Sequence, residues 1–214
     1  SGRPLTVLPQ QLVDIDLVFE GQTEIWDFGR ALSGESWASF HYEQSGRLHG
    51  SIEVDGQSID FDAVAHRDHS RGPRRYSGIE SGTWMQGHFP GGRSFALIDS
   101  KWTGKDRHAM ARVFQDGRIY EAKCDVAPSL DAYDGLPKSF VLRLESELGE
   151  MEVAGECVKG LPQTFDDRNE VLYGSATFAG VTAMCAIVGP TSLHWNGLAG
   201  VGHADFCWGP RFDV

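Results

Sequence analysis

Leu48-His49-Gly50-Ser51-Ile52-Glu53-Val54-Asp55-Gly56-Gln57-Ser58-Ile59-Asp60-Phe61-Asp62-Ala63 is the stretch whose reading decides the fold. Leu48, Gly50, Ile52 and Val54 alternate with polar residues, the period-two signature of a strand with one wet face. Asp55-Gly56 supplies a two-residue turn whose backbone matches strand twist, and Ile59, Phe61 and Ala63 resume the alternation on the way back. The stretch therefore predicts an antiparallel hairpin.

The same logic extends in both directions. In Leu12 to Glu20, Val13, Ile15, Leu17 and Phe19 alternate with Asp14, Asp16 and Glu20. Pro90-Gly91-Gly92 joins a strand over Trp84 to Phe89 with one over Arg93 to Ser100, and Asp116-Gly117 joins His108 to Gln115 with Arg118 to Val126. Further strands are predicted over Ser139 to Glu147, Glu150 to Val158, Val171 to Phe178 and Val181 to Val188, with Gly149 and Gly180 at turns. Asp125 to Lys138 and Lys159 to Arg168 are predicted loops, and the glycine-rich Gly197 to Gly202 a strand or bulge. No sustained helical period occurs, and 26 glycines would penalise helices. Many strands joined by tight hairpins predict an all-β protein, and the up-and-down order favours an antiparallel barrel over a sandwich.

A nine-residue pattern, His-x-Asp-x-x-x-Gly-Pro-Arg, occurs twice, as His66 to Arg74 and as His203 to Arg211. The copies lie a small domain's length apart, which predicts two related halves, residues 1–75 and 76–214. If each half closes with the pattern, the first is short, and the opening Ser1-Gly2 fits a trimmed chain.

Composition narrows the partners. The net charge of −11 repels a phosphate backbone, and the one basic cluster, Arg67, Arg71, Arg74 and Arg75, is interrupted by Asp68, so no nucleic-acid partner is expected. The longest apolar runs are too short for a helical membrane span, and the N-terminus lacks a signal-peptide layout; a cytoplasmic protein is the expectation. Cys124, Cys157, Cys185 and Cys207 are scattered with no Cys-x-x-Cys pair, which predicts buried free thiols rather than a zinc site or disulfide scaffold.

The run His41-Tyr42-Glu43-Gln44-Ser45-Gly46-Arg47-Leu48-His49-Gly50, the hairpin at Asp55-Gly56 and the first motif together resemble the lipocalin-like proteins related to carotenoid hydratases. Within that group the chain is most similar to a bacterial branch with the pattern Gly-His-Arg-Asp-x-Ser-Trp-Gly-x-Arg. It departs from the branch at Ala65, where Gly is usual, and at Arg71, where Trp is usual, although Trp208 holds that place in the second copy. The resemblance implies two lipocalin-like antiparallel β-barrel halves, the first truncated here. It also implies a pocket for an apolar isoprenoid- or polycycle-like molecule, and acid-base chemistry such as hydration, dehydration, isomerisation or cyclisation.

Residue chemistry agrees with that implication. Positions two apart on a strand share a face, so His66 and Asp68 project together, as do His203 and Asp205. A carboxylate beside an imidazole is a proton-transfer pair, and the expected roles are Asp68 as acid or base and His66 as its orienting or relay partner. Tyr42, Glu43, Trp84 and Trp102 are the candidate substrate contacts, since apolar pockets combine aromatic walls with a few polar groups. Three readings compete with this one. In one, Asp68 is a structural partner of Arg71 or Arg74; in another, the pocket belongs to a non-catalytic carrier or sensor; in the third, His66, Asp68 and His203 have the composition of an iron-oxygenase triad, with Arg211 for an oxo acid. The repeat already accounts for His203 and Arg211, and with each copy in its own barrel the two should lie well apart. No metal or other cofactor is expected, and the oligomeric state stays open.

Overall fold

The computed structural model describes residues 13–27, 40–72, 79–130, 137–158, 160–166, 171–173 and 181–208, and every regular element among them is a strand. The end of the first motif from Pro73 and the end of the second from Gly209 lie outside the described residues.

The strands form two sheets. In the first, β1 (Val13–Gly21) and β2 (Trp26–Asp27) share one edge of β3 (Phe40–Val54), and β4 (Gln57–Arg71) lies along the other. The β3–β4 ladder runs without a slip from Val54 opposite Gln57 to Phe40 opposite Arg71. Asp55 and Gly56 at the turn have φ of 50° and 79°, the left-handed pair that a type I′ turn needs.

The second sheet is a closed barrel with an extension. Its strands are β5 (Ile79–His88), β6 (Ser94–Trp102), β7 (His108–Gln115), β8 (Arg118–Leu130), β9 (Pro137–Ser146), β10 (Gly149–Cys157), β11 (Gly160–Asp166), β12 (Val171–Tyr173), β13 (Val181–Trp195) and β14 (Leu198–Trp208). Strands β5 to β10 follow one another as neighbours; β10 pairs with β13, β13 with β14, and β14 returns to β5. Eight antiparallel strands thereby close, while β11 and β12 extend alongside β13. The long β13 serves both roles, pairing with β11 through Val188 and with β10 from Thr191. Its register against β14 shifts between Val188 and Pro190, where proline cannot donate to a ladder.

Alternation along the barrel strands fills the interior. Met85, Phe89, Phe95, Leu97, Val113, Leu142, Leu144, Val153, Leu193 and Phe206 form one buried cluster, each contributing about 1.5–3 kcal/mol on burial. At Gly87 a Cβ would stand 2.5 Å from both Leu193 and Phe95, so the ring packing requires glycine there. A second cluster lies on the outside of the wall: Trp26 of the first sheet packs on Ala96, Ile98 and Phe114, with Trp84 beside it. Arg112 places its guanidinium 5.1 Å over the Trp26 ring. This contact docks the first sheet against the outer face of β5, β6 and β7. The sheet's opposite face carries apolar rows, with Ile15, Ile52 and Ile59 abreast across three strands. Ile15 and Ile59 are 65% and 52% exposed.

Three expectations are corrected. Residues 125–130 continue β8, paired with β9, instead of opening a loop. Pro128 is tolerated because the β7 ladder stops at Ala122, leaving β9 as the one neighbour there among the described residues. Part of the second predicted loop is β11. Cys124 and Cys157 are free thiols, but Cys207 is disulfide-bonded. The backbone register sets Cys185 opposite Cys207, a proximity that sequence distance conceals. Among the described residues no helix is long and apolar enough to cross a membrane.

Candidate functional site

The β3–β4 hairpin builds half of the site by register alone. Glu43 stands opposite Asp68 and Ser45 opposite His66, and period two puts His41, Glu43, Ser45, His66 and Asp68 on the face turned to the barrel. The barrel supplies the other half. On β5 and β14, Trp84 is opposite Asp205 and Gln86 opposite His203, on the outer face of the wall.

Glu43 is the hub, with 0% of its surface exposed. Its Oε2 meets His66 Nε2 at 2.9 Å, its Oε1 meets His41 Nε2 at 3.2 Å, and the Trp84 indole N–H donates to Oε1 at 2.5 Å. Burial pushes the Glu43 carboxyl up, but the hydrogen bonds from His41, His66 and Trp84 outweigh it and hold the group below its ordinary 4.5. His41 also meets Asp68 Oδ2 at 3.4 Å. Burial drives the His41 pKa down, yet hydrogen bonding and charge from Asp68 and Glu43 prevail and keep it above 6.5. Behind Glu43, His66 Nδ1 lies 3.4 Å from Ser45 Oγ, which accepts a 3.0 Å hydrogen bond from Ser94. His88, whose ring centroid is 6.2 Å from that of His66, is pushed down to about 4, chiefly by burial.

A cleft of about 250 Å³ opens between the hairpin and the barrel wall. His41 and Asp68 line one side, Ile79, Trp84, Ile98 and Trp102 form the apolar wall, and Asp99 and Asp205 add carboxylates. Asp68 is the accessible member of the pair: its side chain is 38% exposed against 4% for His41.

The predicted residues separate in this arrangement. Asp68, Trp84 and Trp102 line the cleft, whereas Glu43 is sealed beneath it as an anchor. Tyr42 lies on the far face, stacked on His69 at 5.3 Å with Arg67 at 5.0 Å. Neighbours on a strand point oppositely, so Tyr42 and Glu43 could never serve one pocket together. His66 turns to Glu43, and the imidazole beside Asp68 is His41. Among the described residues Asp68 pairs with no arginine. His41, Ser45, Ser94 and His88 are not among the expected site residues, although His41-x-Glu43, which opens the run His41 to Gly50, repeats the His-x-acid spacing.

The expected separation of the two motif copies is also overturned. Trp84 lies between them, its ring centroid 6.1 Å from His66 and 5.4 Å from His203, and His203 Nε2 meets Asp205 Oδ1 at 2.8 Å. Each copy points out of its own sheet toward the other, so docking brings them together. The triad of His66, Asp68 and His203 does not form. The donor atoms that do converge, within 4.8 Å of one another, belong to His41, Glu43 and Asp68. That set could accept a divalent cation, in the place where a proton on His41 Nε2 now joins the two carboxylates.

A family profile described as "domain of unknown function (DUF7064)" matches residues 5–210. The chain belongs to the DUF7064 family. No curated protein matches it. Among solved structures, this DUF7064 chain is similar to a protein of Nitrosomonas europaea, provisionally named AttH and solved at 2.00 Å, with a TM-score of 0.55 and 14% identity. The match covers 96% of this chain and 64% of that one, so the chain spans less than two thirds of its neighbour's length. At that identity the likeness concerns the fold, and it agrees with the lipocalin-like barrel.

Proposed function

We propose that this DUF7064 protein binds an apolar, isoprenoid- or polycycle-like small molecule in the cleft between its hairpin and its barrel. There it catalyses acid-base chemistry without a metal: hydration, dehydration, isomerisation or cyclisation. The observation that carries the reading is the exposed Asp68 carboxyl beside the buried His41, facing a wall of Trp84, Trp102, Ile79 and Ile98. The resemblance to carotenoid hydratases points the same way.

The chemistry follows from the placement. Protonating an alkene, or an alcohol before water leaves, needs an acid at the edge of an apolar surface. Asp68 delivers the proton, and His41, whose pKa is raised by its two carboxylate partners, returns one to it. The positive charge then developing on carbon is stabilised by the indole faces and by Asp205 across the cleft. Glu43 and His66 hold His41 and Trp84 in position and are positioning residues. Pockets for small molecules usually span about 300–1,000 Å³, so a cleft of about 250 Å³, just under that range, admits a short isoprenoid or one end of a longer one.

The test is Asp68→Asn, assayed by quenching of tryptophan fluorescence and by product analysis against a panel of isoprenoid alkenes and alcohols. Because Asp68 is partly exposed and His41 keeps Glu43, the expected stability change is within about 1 kcal/mol. Quenching should survive while turnover disappears. Quenching by the panel without turnover in the unaltered protein would assign a carrier, and full turnover by Asp68→Asn would remove Asp68 from the chemistry.

A further inference from the structure

A second cleft, of about 370 Å³, lies at the other end of the seam between hairpin and barrel. Gln22, Arg47, Arg93 and His88 line it, together with Ser45 and Ser94. Both serines are buried, at 4% and 3% exposure, and are the last two members of an unbroken row of polar groups. The row runs Ser94 Oγ to Ser45 Oγ (3.0 Å), Ser45 Oγ to His66 Nδ1 (3.4 Å), His66 Nε2 to Glu43 Oε2 (2.9 Å), Glu43 Oε1 to His41 Nε2 (3.2 Å) and His41 Nε2 to Asp68 Oδ2 (3.4 Å). It starts in one cleft and ends in the other.

We propose that this row is a proton conduit which reloads Asp68 from the second cleft, so that the reactive cleft can stay closed to water while substrate is bound. The proposal rests on the reading of Asp68 as the reacting acid and adds Ser45, Ser94 and His66 to its machinery. Three features support it. Ser45, His66 and Glu43 each have both contacts that a relay needs: a hydroxyl donates and accepts, the two nitrogens of His66 face different neighbours, and the two oxygens of Glu43 do likewise, while His41 meets Glu43 and Asp68 through one nitrogen that gives its proton before it receives the next. With His66 neutral and its proton on Nε2, the tautomer that the Glu43 carboxylate favours, the donors from Ser94 to Glu43 all point one way: Ser94 donates to Ser45, Ser45 to His66 Nδ1, and His66 Nε2–H to Glu43. Finally, a purely structural anchor for Glu43 would need His66 but would not need its far nitrogen connected to a cleft.

The proton count closes. After Asp68 has given its proton to substrate, the proton on His41 Nε2 passes to Asp68 Oδ2. Glu43 receives the Nε2 proton of His66 on Oε2, and a half-turn of the carboxyl then presents that same proton to His41 Nε2, leaving Glu43 ionised as at the start. His66 Nδ1 takes the proton of Ser45, Ser45 that of Ser94, and Ser94 one from water in the second cleft. One proton enters and one leaves, and reorientation of the hydroxyls and of the His66 ring tautomer restores the start. The two 3.4 Å steps exceed a resting hydrogen bond, so transfer waits on small closures at His66 and at Asp68.

The experiment needs no substrate, so its failure is separable from failure of the Asp68 reading. Long-range nitrogen-proton spectra of the intact protein report exchange of the His66 ring protons with water. In Ser45→Ala the exchange should slow by about tenfold or more, and Ser45→Thr, which keeps the hydroxyl, should restore it. Ser94→Ala interrupts the same row at the cleft end and should slow exchange as well, which covers the case in which Ser45→Ala fails to fold. Exchange that is unchanged or faster in the folded alanine variants overturns the conduit.

Discussion

Replacing Glu43 by Gln removes one charge and leaves nearly the same volume, so it isolates what the buried carboxylate does. Three donors converge on Glu43, from His41, His66 and Trp84, and none of its surface is exposed. An amide offers one acceptor oxygen and turns its NH₂ toward a group that also donates, so His66 or His41 must change tautomer or lose its partner. Breaking a buried ion pair by removing one side costs about 3–5 kcal/mol. For a domain of this size each kcal/mol moves the melting midpoint by about 2–4 °C, so Glu43→Gln should melt about 6–20 °C lower. The assay is calorimetry or circular dichroism at pH 6 and again at low pH. Because the folded pKa of Glu43 lies below its ordinary 4.5, its contribution is present above that value and is lost as pH falls through the folded pKa. The gap between the two proteins should therefore be full at pH 6 and narrow in acid. A variant that melts within 2–3 °C of the parent at pH 6, on the same scale of about 2–4 °C per kcal/mol, would refute the hub.

The other expectations are briefer. His88, held at about 4 by burial, stays neutral in the fold while the unfolded chain takes up a proton below 6.5. Stability should therefore fall between pH 6.5 and 4, by up to about 3 kcal/mol, and His88→Gln should remove this slope in pH-dependent melting. His41 works in the opposite sense: its raised pKa adds stability below 6.5 that is lost as pH rises through the folded value, so His41→Gln should cost more at pH 6 than at pH 9. Elemental analysis should find no stoichiometric iron, zinc or manganese, because a proton on His41 Nε2 already joins Glu43 and Asp68. One equivalent of metal per chain, with chelator-sensitive turnover, would replace the proton reading with a metal centre on His41, Glu43 and Asp68.

Local chemistry made most of the fold and part of the site legible. Asp55-Gly56 fixes a two-residue turn, and a ladder extended from it opposes Glu43 to Asp68 and Ser45 to His66. The pairing of the two carboxylates was therefore available in the sequence, and so was the assignment of Tyr42 to the far face. Alternation in β1, β3 and β4 likewise declares an apolar face and a polar one. It does not tell which face meets the barrel; the polar one does, around His41 and Glu43. The loop expected at Asp125 to Lys138 shows the limit of composition, since Pro128 disfavours a central strand but not one with a single neighbour.

By itself the sequence determined most of the strands, the tight turns, the antiparallel barrel and the duplicated His-x-Asp pairs, because these depend on period two and on turn backbone preferences acting over a few residues. Only the tertiary structure decided that the two pairs confront each other across Trp84, that Asp68 answers to His41, and that Glu43 gathers His66, His41 and Trp84 beneath a cleft. Those contacts join residues from separate ladders through the docking of one sheet on another. Docking is set by the fit of Trp26 on Ala96, Ile98 and Phe114 and by the neutralisation of one buried carboxylate, neither of which leaves a periodic trace along the chain.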